Sequence, residues 1–239
     1  MTRQRIRRRR RSGVSGLVVT LTAAVATGCS TLHPGAAAVV GSRSIEASTV
    51  DAIASAYCQV TVAAARAQGS AAPAQPTRDL RRGVLNALVQ EHVVRGAANR
   101  IGGIRVAESQ VDQLVESSGI LAQPVSDDAA AVLRGFLDKV ASTQLTLQAI
   151  GQRLAAQQSG GGQPPSPEQA SAAGRRYVLK YAAGLDVSVD PRYGSYSPQG
   201  IEVSSGSLSV PVSDEARLAI RPSLDGSAAR SLPASQTCA

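Results

Sequence analysis

The sequence predicts a mainly α protein, a helical domain in which a small β-sheet joins an N-terminal and a C-terminal strand. Three observations carry that expectation. Five stretches place apolar residues at helical spacing. Two short strand-like runs bracket those stretches, Ala37-Ala38-Val39-Val40-Gly41 at the front and Leu185-Asp186-Val187-Ser188-Val189-Asp190 at the back. The second run alternates at period two, as a half-buried strand does. The chain also holds no Trp, one Phe (Phe136) and no Met beyond Met1. Ala and short aliphatics must therefore fill the core, which suits close-packed helices.

The front strand ends in the turn-like Gly41-Ser42-Arg43-Ser44, and Ile45 restarts an extended segment. Ser48-Thr49-Val50-Asp51 has the form of a capping-box helix start. Val50, Ile53, Ala54, Tyr57 and Ala64 come next at helical spacing, to about Ala67. A Gly/Ala/Pro loop spans Gly69 to Pro76. Thr77 is the expected N-cap of the second helix, with Asp79 in its first turn. Leu80, Val84, Leu88, Val89 and Val93 form its apolar face. Arg78, Arg81, Arg82, Glu91 and Arg95 are expected on the outside. Gly102-Gly103 stops this helix.

A short helix is expected over Glu108 to Glu116, ending near Gly119. Ser126-Asp127-Asp128 caps the longest helix, whose seam is Leu133, Phe136, Val140, Thr143, Leu147, Ile150 and Leu154. The alternating steps of three and four predict packing along a neighbouring helix. Residues 159–166 read as a Gly-then-Pro linker. Ser166-Pro167-Glu168-Gln169 combines an N-cap, Pro at N1 and a capping box. The helix it opens carries Tyr177, Val178 and Tyr181 and ends at Gly184. Residues 204–239 lack periodicity and are expected to form a flexible tail. Cys238 at its end argues against complete disorder.

The N-terminal residues read as an address. Residues 1–11 hold seven arginines and no acid, and an apolar run over 14–27 comes after them. That pattern is an export signal, too short in its apolar part to span a bilayer as a mature helix. Its ending, Ala26-Thr27-Gly28-Cys29, resembles a bacterial lipoprotein signal. The resemblance implies cleavage before Cys29, lipidation of Cys29 and an anchor at the extracytoplasmic face of the cell membrane. The alternative is an ordinary secretory signal that contains a cysteine. The expected organisation is signal peptide 1–28, tether 29–36, helical domain 37–203 and tail 204–239.

Charge bears on partners. The full chain carries +8, but residues 1–28 hold seven of the 25 basic residues and none of the 17 acids, so residues 29–239 carry +1. The basic pI belongs to the signal. No basic patch with interleaved aromatics appears later, so no nucleic-acid partner is expected. With Cys29 assigned to lipid, Cys58 and Cys238 remain. In an oxidising exported setting they are a disulfide candidate; the other reading is two independent thiols.

No catalytic constellation emerges, and an enzyme is not expected. His33 lies in the tether, and His92 sits mid-helix beside Glu91. Cys58 and Cys238 lack metal-ligand spacing, so neither a metal nor another cofactor is expected. A Cys58–His92 nucleophile–base pair is conceivable, against a helix-surface histidine. Asp127-Asp128 is accounted for by helix capping. Gly160-Gly161-Gly162 is a linker.

The opening strand, turn and helix, and the final helix and strand running into Asp190-Pro191-Arg192-Tyr193-Gly194, together resemble SurA/PrsA-type extracytoplasmic foldases. In lipoprotein relatives of that family the last strand leads into an Asn/Asp-Pro-Arg-Tyr/Phe-Gly motif. The resemblance spans roughly residues 37–197. Many members insert a parvulin-type prolyl isomerase domain before the final strand; here residues 159–166 leave no room for one. The resemblance therefore implies a chaperone module alone, holding unfolded or nascent exported polypeptides without covalent chemistry. The alternative is a structural or adaptor lipoprotein with one envelope partner. Tyr193 and Tyr196 either form a peptide-contact surface, or Tyr193 folds back over the small sheet while Arg192 pairs an acid.

Overall fold

The computed structural model describes residues 34–159, 164–203, 212–219, 221, 224 and 226–238. The N-terminal signal, Cys29, His33 and Gly160 to Gly162 lie outside the described residues. Strand β1 (Ala36–Val40) turns at Gly41, which holds φ +60°, into β2 (Arg43–Glu46). All five β1 residues are buried. They can be, because β1 is the central strand of an antiparallel sheet of order β2-β1-β4, where β4 is Val187–Val189. Ala38 faces Val189, Val39 faces Ser188 and Val40 faces Val187. The expected joining of the two ends is thus realised residue by residue. Outside the ladder, the Gly41 amide donates to Asp186 O, and the Asp190 amide to Ala37 O.

Helix α1 (Ala47–Ala67) continues from β2 with no loop, so the predicted start at Ser48 is displaced. Glu46 is the N-cap position and makes no side-chain cap. The Ala47 amide instead donates to Gly35 O at 2.8 Å, a tertiary bond in place of a capping side chain. At the other end Gly69 (φ +66°) closes a Schellman motif, with Gly69 N–H to Arg66 O and Ser70 N–H to Ala65 O. Strand β3 (Gln75–Pro76) leads directly into α2 (Thr77–Arg100). Thr77 is its first residue and not its cap. Gly102 and Gly103 end it in a second Schellman motif, as expected.

Helix α2 is the spine of the domain. It touches α1, β1 and β2, together with α4 (Asp127–Ser159), α5 (Pro167–Ala182) and β6 (Gly200–Glu202). Its buried positions form a wide stripe: Leu80, Val84, Leu85, Leu88, Val89, Val93, Val94, Ala97 and Ala98. Glu91, expected outside, is buried within that stripe. Three residues after Leu88, it falls on the apolar face. Its carboxylate pairs with Arg95 one turn on.

Helix α3 (Glu108–Ser117) docks Val111 and Val115 against Ala141 of α4. This contact turns one position of the expected α4 seam outward. Val140, expected in the α4 seam, is 38% exposed, while Ala141 and Thr146 are buried. The α4 seam thus faces α1 and α2 through Leu133, Phe136, Leu147 and Ile150, but shifts face in the middle to receive α3. Ser126 Oγ caps α4 through the Ala129 amide, and Ser166 with Gln169 forms the predicted capping box on α5.

Helices α4 and α5 form an antiparallel hairpin whose backbones nearly touch. A Cβ on Gly151 would overlap the carbonyl of Ala170, and one on Gly174 would overlap that of Leu147. Only glycine permits this separation. After β4 comes a two-stranded hairpin of β5 (Ser195–Ser197) and β6. Its short Ser/Gly-rich strands carry no periodicity, so the sequence does not announce it.

The expectation of a flexible tail fails at its far end. Short helices α6 (Asp214–Ala219) and α7 (Gly226–Arg230) precede β7 (Thr237–Cys238), which pairs antiparallel with β3. Ala229, Leu232 and Cys238 are buried. Cys58 and Cys238 are joined by a disulfide, with Cα atoms 5.5 Å apart across 180 residues of sequence. The Arg78 guanidinium adds a 2.6 Å hydrogen bond to Arg221 O.

Candidate functional site

The sequence singles out Asp190 to Gly194, and the structure shows what that motif does locally. Asp190 accepts from the Arg192 amide and from its guanidinium Nε, both at 2.9 Å, and from Nη2 at 2.6 Å. The two guanidinium bonds, both to Oδ2, lower the Asp190 carboxyl below its usual range and raise Arg192. The Tyr193 amide donates to Asp190 O, closing the turn that Pro191 favours. Tyr193 is swung into the main core, and burial pushes its hydroxyl pKa up. Its carbonyl accepts from Arg82 Nε at 2.9 Å, tying the turn to α2. Gly194, at φ +127°, crosses so close to Glu202 O that no side chain fits. The motif is therefore an architectural corner. Of the two expectations for this segment, it matches the one in which Tyr193 folds back and Arg192 pairs an acid.

The corner sets the β5–β6 hairpin against α2. The Ile201 amide, which points away from β5, is received by Asn86 Oδ1 at 3.1 Å. Gly200 (φ +142°) lets the strand approach Asn86 that closely. Between this hairpin, α2, α5 and Leu147 of α4 lies a cleft of about 260 Å³. Its floor is Val89, Val93, Leu147, Val178 and Ala182; Tyr196 and Pro198 form the hairpin wall. Burial raises the Tyr196 hydroxyl pKa. At the lip stand Gln90, Arg175, Leu179 and Gln199, all exposed. Leu179 is one of three large apolar side chains exposed among the described residues.

Tyr193 and Tyr196, three residues apart, thus take opposite roles: one enters the core, the other lines a cleft. The remaining cleft residues do not stand out in the sequence as a site. Arg175, Val178 and Leu179 share a helix face at i, i+3 and i+4, and that is the one available signal. The hairpin contribution has none.

His92 and Cys58 are not brought together as a catalytic pair, since Cys58 is committed to the disulfide. His92 is partly buried beside Glu91, with Nδ1 3.7 Å from the carboxylate. Desolvation lowers its pKa, against the opposing pull of Glu91 and with Arg95, Arg43 and Lys139 adding to the lowering. Among the described residues no group of three or more His, Cys, Asp or Glu side chains is placed to hold a metal ion. No described helix is long and apolar enough to cross a membrane. Neither a family model, nor a curated protein, nor a solved structure matches this chain.

Proposed function

We propose that this protein is a lipid-anchored extracytoplasmic lipoprotein that holds unfolded or nascent exported polypeptides, with no prolyl isomerase or other covalent chemistry. The observation that carries this reading is the apolar cleft between α2, α5 and the β5–β6 hairpin, with Leu179 exposed at its lip. Such a site takes apolar side chains from an extended chain. Further support comes from the export signal ending in Cys29, and from the likeness to SurA/PrsA-type foldases at both ends of the domain. The Cys58–Cys238 disulfide suits an oxidising compartment.

The small size of the cleft favours a second reading, an adaptor lipoprotein that seats one segment of one envelope partner. Purified lipidated protein in detergent distinguishes the two. Suppressed aggregation of several unrelated unfolded proteins supports the chaperone. Failure with all of them leaves the adaptor. Lipidation is checked by intact mass of the membrane-extracted protein, which should show a diacylglyceryl adduct on Cys29. A soluble form beginning elsewhere overturns the anchor.

A further inference from the structure

The cleft has one charge. Of its thirteen lining residues Arg175 alone is ionised, and it forms no ion pair among the described residues. Several other arginines differ in this respect. Arg81 pairs with Asp51, Arg82 with Asp79, Arg95 with Glu91 and Arg192 with Asp190. Arg175 sits one helical turn from Val178 and Leu179, so its Cβ lies about 5–6 Å from theirs. A cation therefore stands beside an apolar recess with no carboxylate supplied by the described part of the chain.

Resting on the polypeptide-holding reading above, we propose that the cleft prefers extended segments carrying an apolar side chain and, two residues on, an Asp or Glu. In an extended chain side chains at i and i+2 share a face, about 7 Å apart. That spacing seats the apolar group on the Val89/Val178 floor while the carboxylate meets Arg175. Gln90 of α2 and Gln199 of the hairpin, both at the lip, offer donors and acceptors to the segment's backbone, which a peptide uses and an acyl chain does not. The size points the same way. A space of about 260 Å³ holds a side chain or two, below the roughly 300–1,000 Å³ of sites that engulf small ligands.

The test uses the lipidated protein in detergent and two short labelled peptides, alike except that Leu is followed two residues on by Asp in one and by Lys in the other. Fluorescence anisotropy at low salt should show the Asp peptide binding about two- to fivefold tighter, the worth of an exposed ion pair. The preference should vanish near 1 M salt, where the screening length falls to about 3 Å. Arg175→Glu should reverse it. Arg175 is exposed and unpaired among the described residues, so this variant should fold, as circular dichroism would check. Arg176→Glu, at the neighbouring position that lines a different cleft, should leave the preference in place. Equal binding of both peptides with aggregation still suppressed overturns the acid preference alone. Binding of neither peptide, with no suppression, overturns the polypeptide reading as well. Tighter binding of decanoate than of the Asp peptide assigns the cleft to a lipid and overturns the proposal.

Discussion

The two arms of the α4–α5 hairpin are held to each other, and the C-terminal tail to the domain, by different means. The hairpin is held by backbone proximity: Gly151 against Ala170 and Gly174 against Leu147 bring two helices together along their length. The tail is held at its end by the Cys58–Cys238 bond, a two-residue strand pairing and a few buried side chains, Ala229 and Leu232 among them. The first attachment is spread over many weak contacts and responds to volume. The second is concentrated in one covalent link and responds to oxidation. One added side chain can disrupt the first and leave the second untouched; a reductant does the opposite.

Adding volume to the hairpin tests this contrast most severely. Gly151→Leu or Gly174→Leu drives a side chain into a backbone carbonyl, which no rotamer change relieves. Each should destabilise by more than about 3 kcal/mol in urea unfolding, above the usual range for overpacking. Gly135→Ala, on the same helix as Gly151 with open space around it, should instead stabilise by about 0.5–1 kcal/mol. Equal effects at Gly151 and Gly135 would remove the close-approach argument.

The next effect is on the tail. The Cys58→Ser/Cys238→Ser double variant should lose roughly 2–4 kcal/mol, since the bond closes a loop of most of the chain. Limited proteolysis should then release the tail first, while α4–α5 stays protected. Identical unfolding with and without the bond would mean that the tail contributes nothing.

Smaller effects test the region between these extremes. Asn86→Ala strands the Ile201 amide and should cost about 1–2 kcal/mol. Hydrogen exchange at Ile201 should speed up, with the α4–α5 core unchanged. The smallest effect is a pH slope from His92. Its folded pKa is depressed by burial, so the unfolded chain binds the proton more readily. Stability should therefore fall as pH drops from the unfolded value of about 6.5 through the lower folded pKa, and rise with pH across that window. His92→Gln should flatten that slope; an unchanged slope assigns it to another group.

Legibility in the sequence divides along the same line. Where a device is local, the residues spell it out: the Ser166–Gln169 box, the Gly102-Gly103 stop, and the apolar alternation of β4. The start of α1 is displaced because its cap is a tertiary bond to Gly35, well upstream of the Asp51 that completes the apparent box. Glu91 and Val140 depart from expectation because α2 is buried on a wide arc and α4 changes partner along its length. The cleft is illegible for a related reason. Its walls come from residues 86–93, 175–182 and 196–200, and only the fold brings them together.

The placement of β1 has a kinetic consequence. Its five buried residues need β2 on one edge and β4 on the other, and β4 is separated from β1 by helices α1 to α5. For a polypeptide delivered N-terminus first, β1 emerges early with one edge unpaired, and nothing local can cover it. Those helices can form while it waits, because their contacts are shorter in range. Until β4 arrives the sheet stays open, so during its own synthesis this chain presents an unpaired apolar edge.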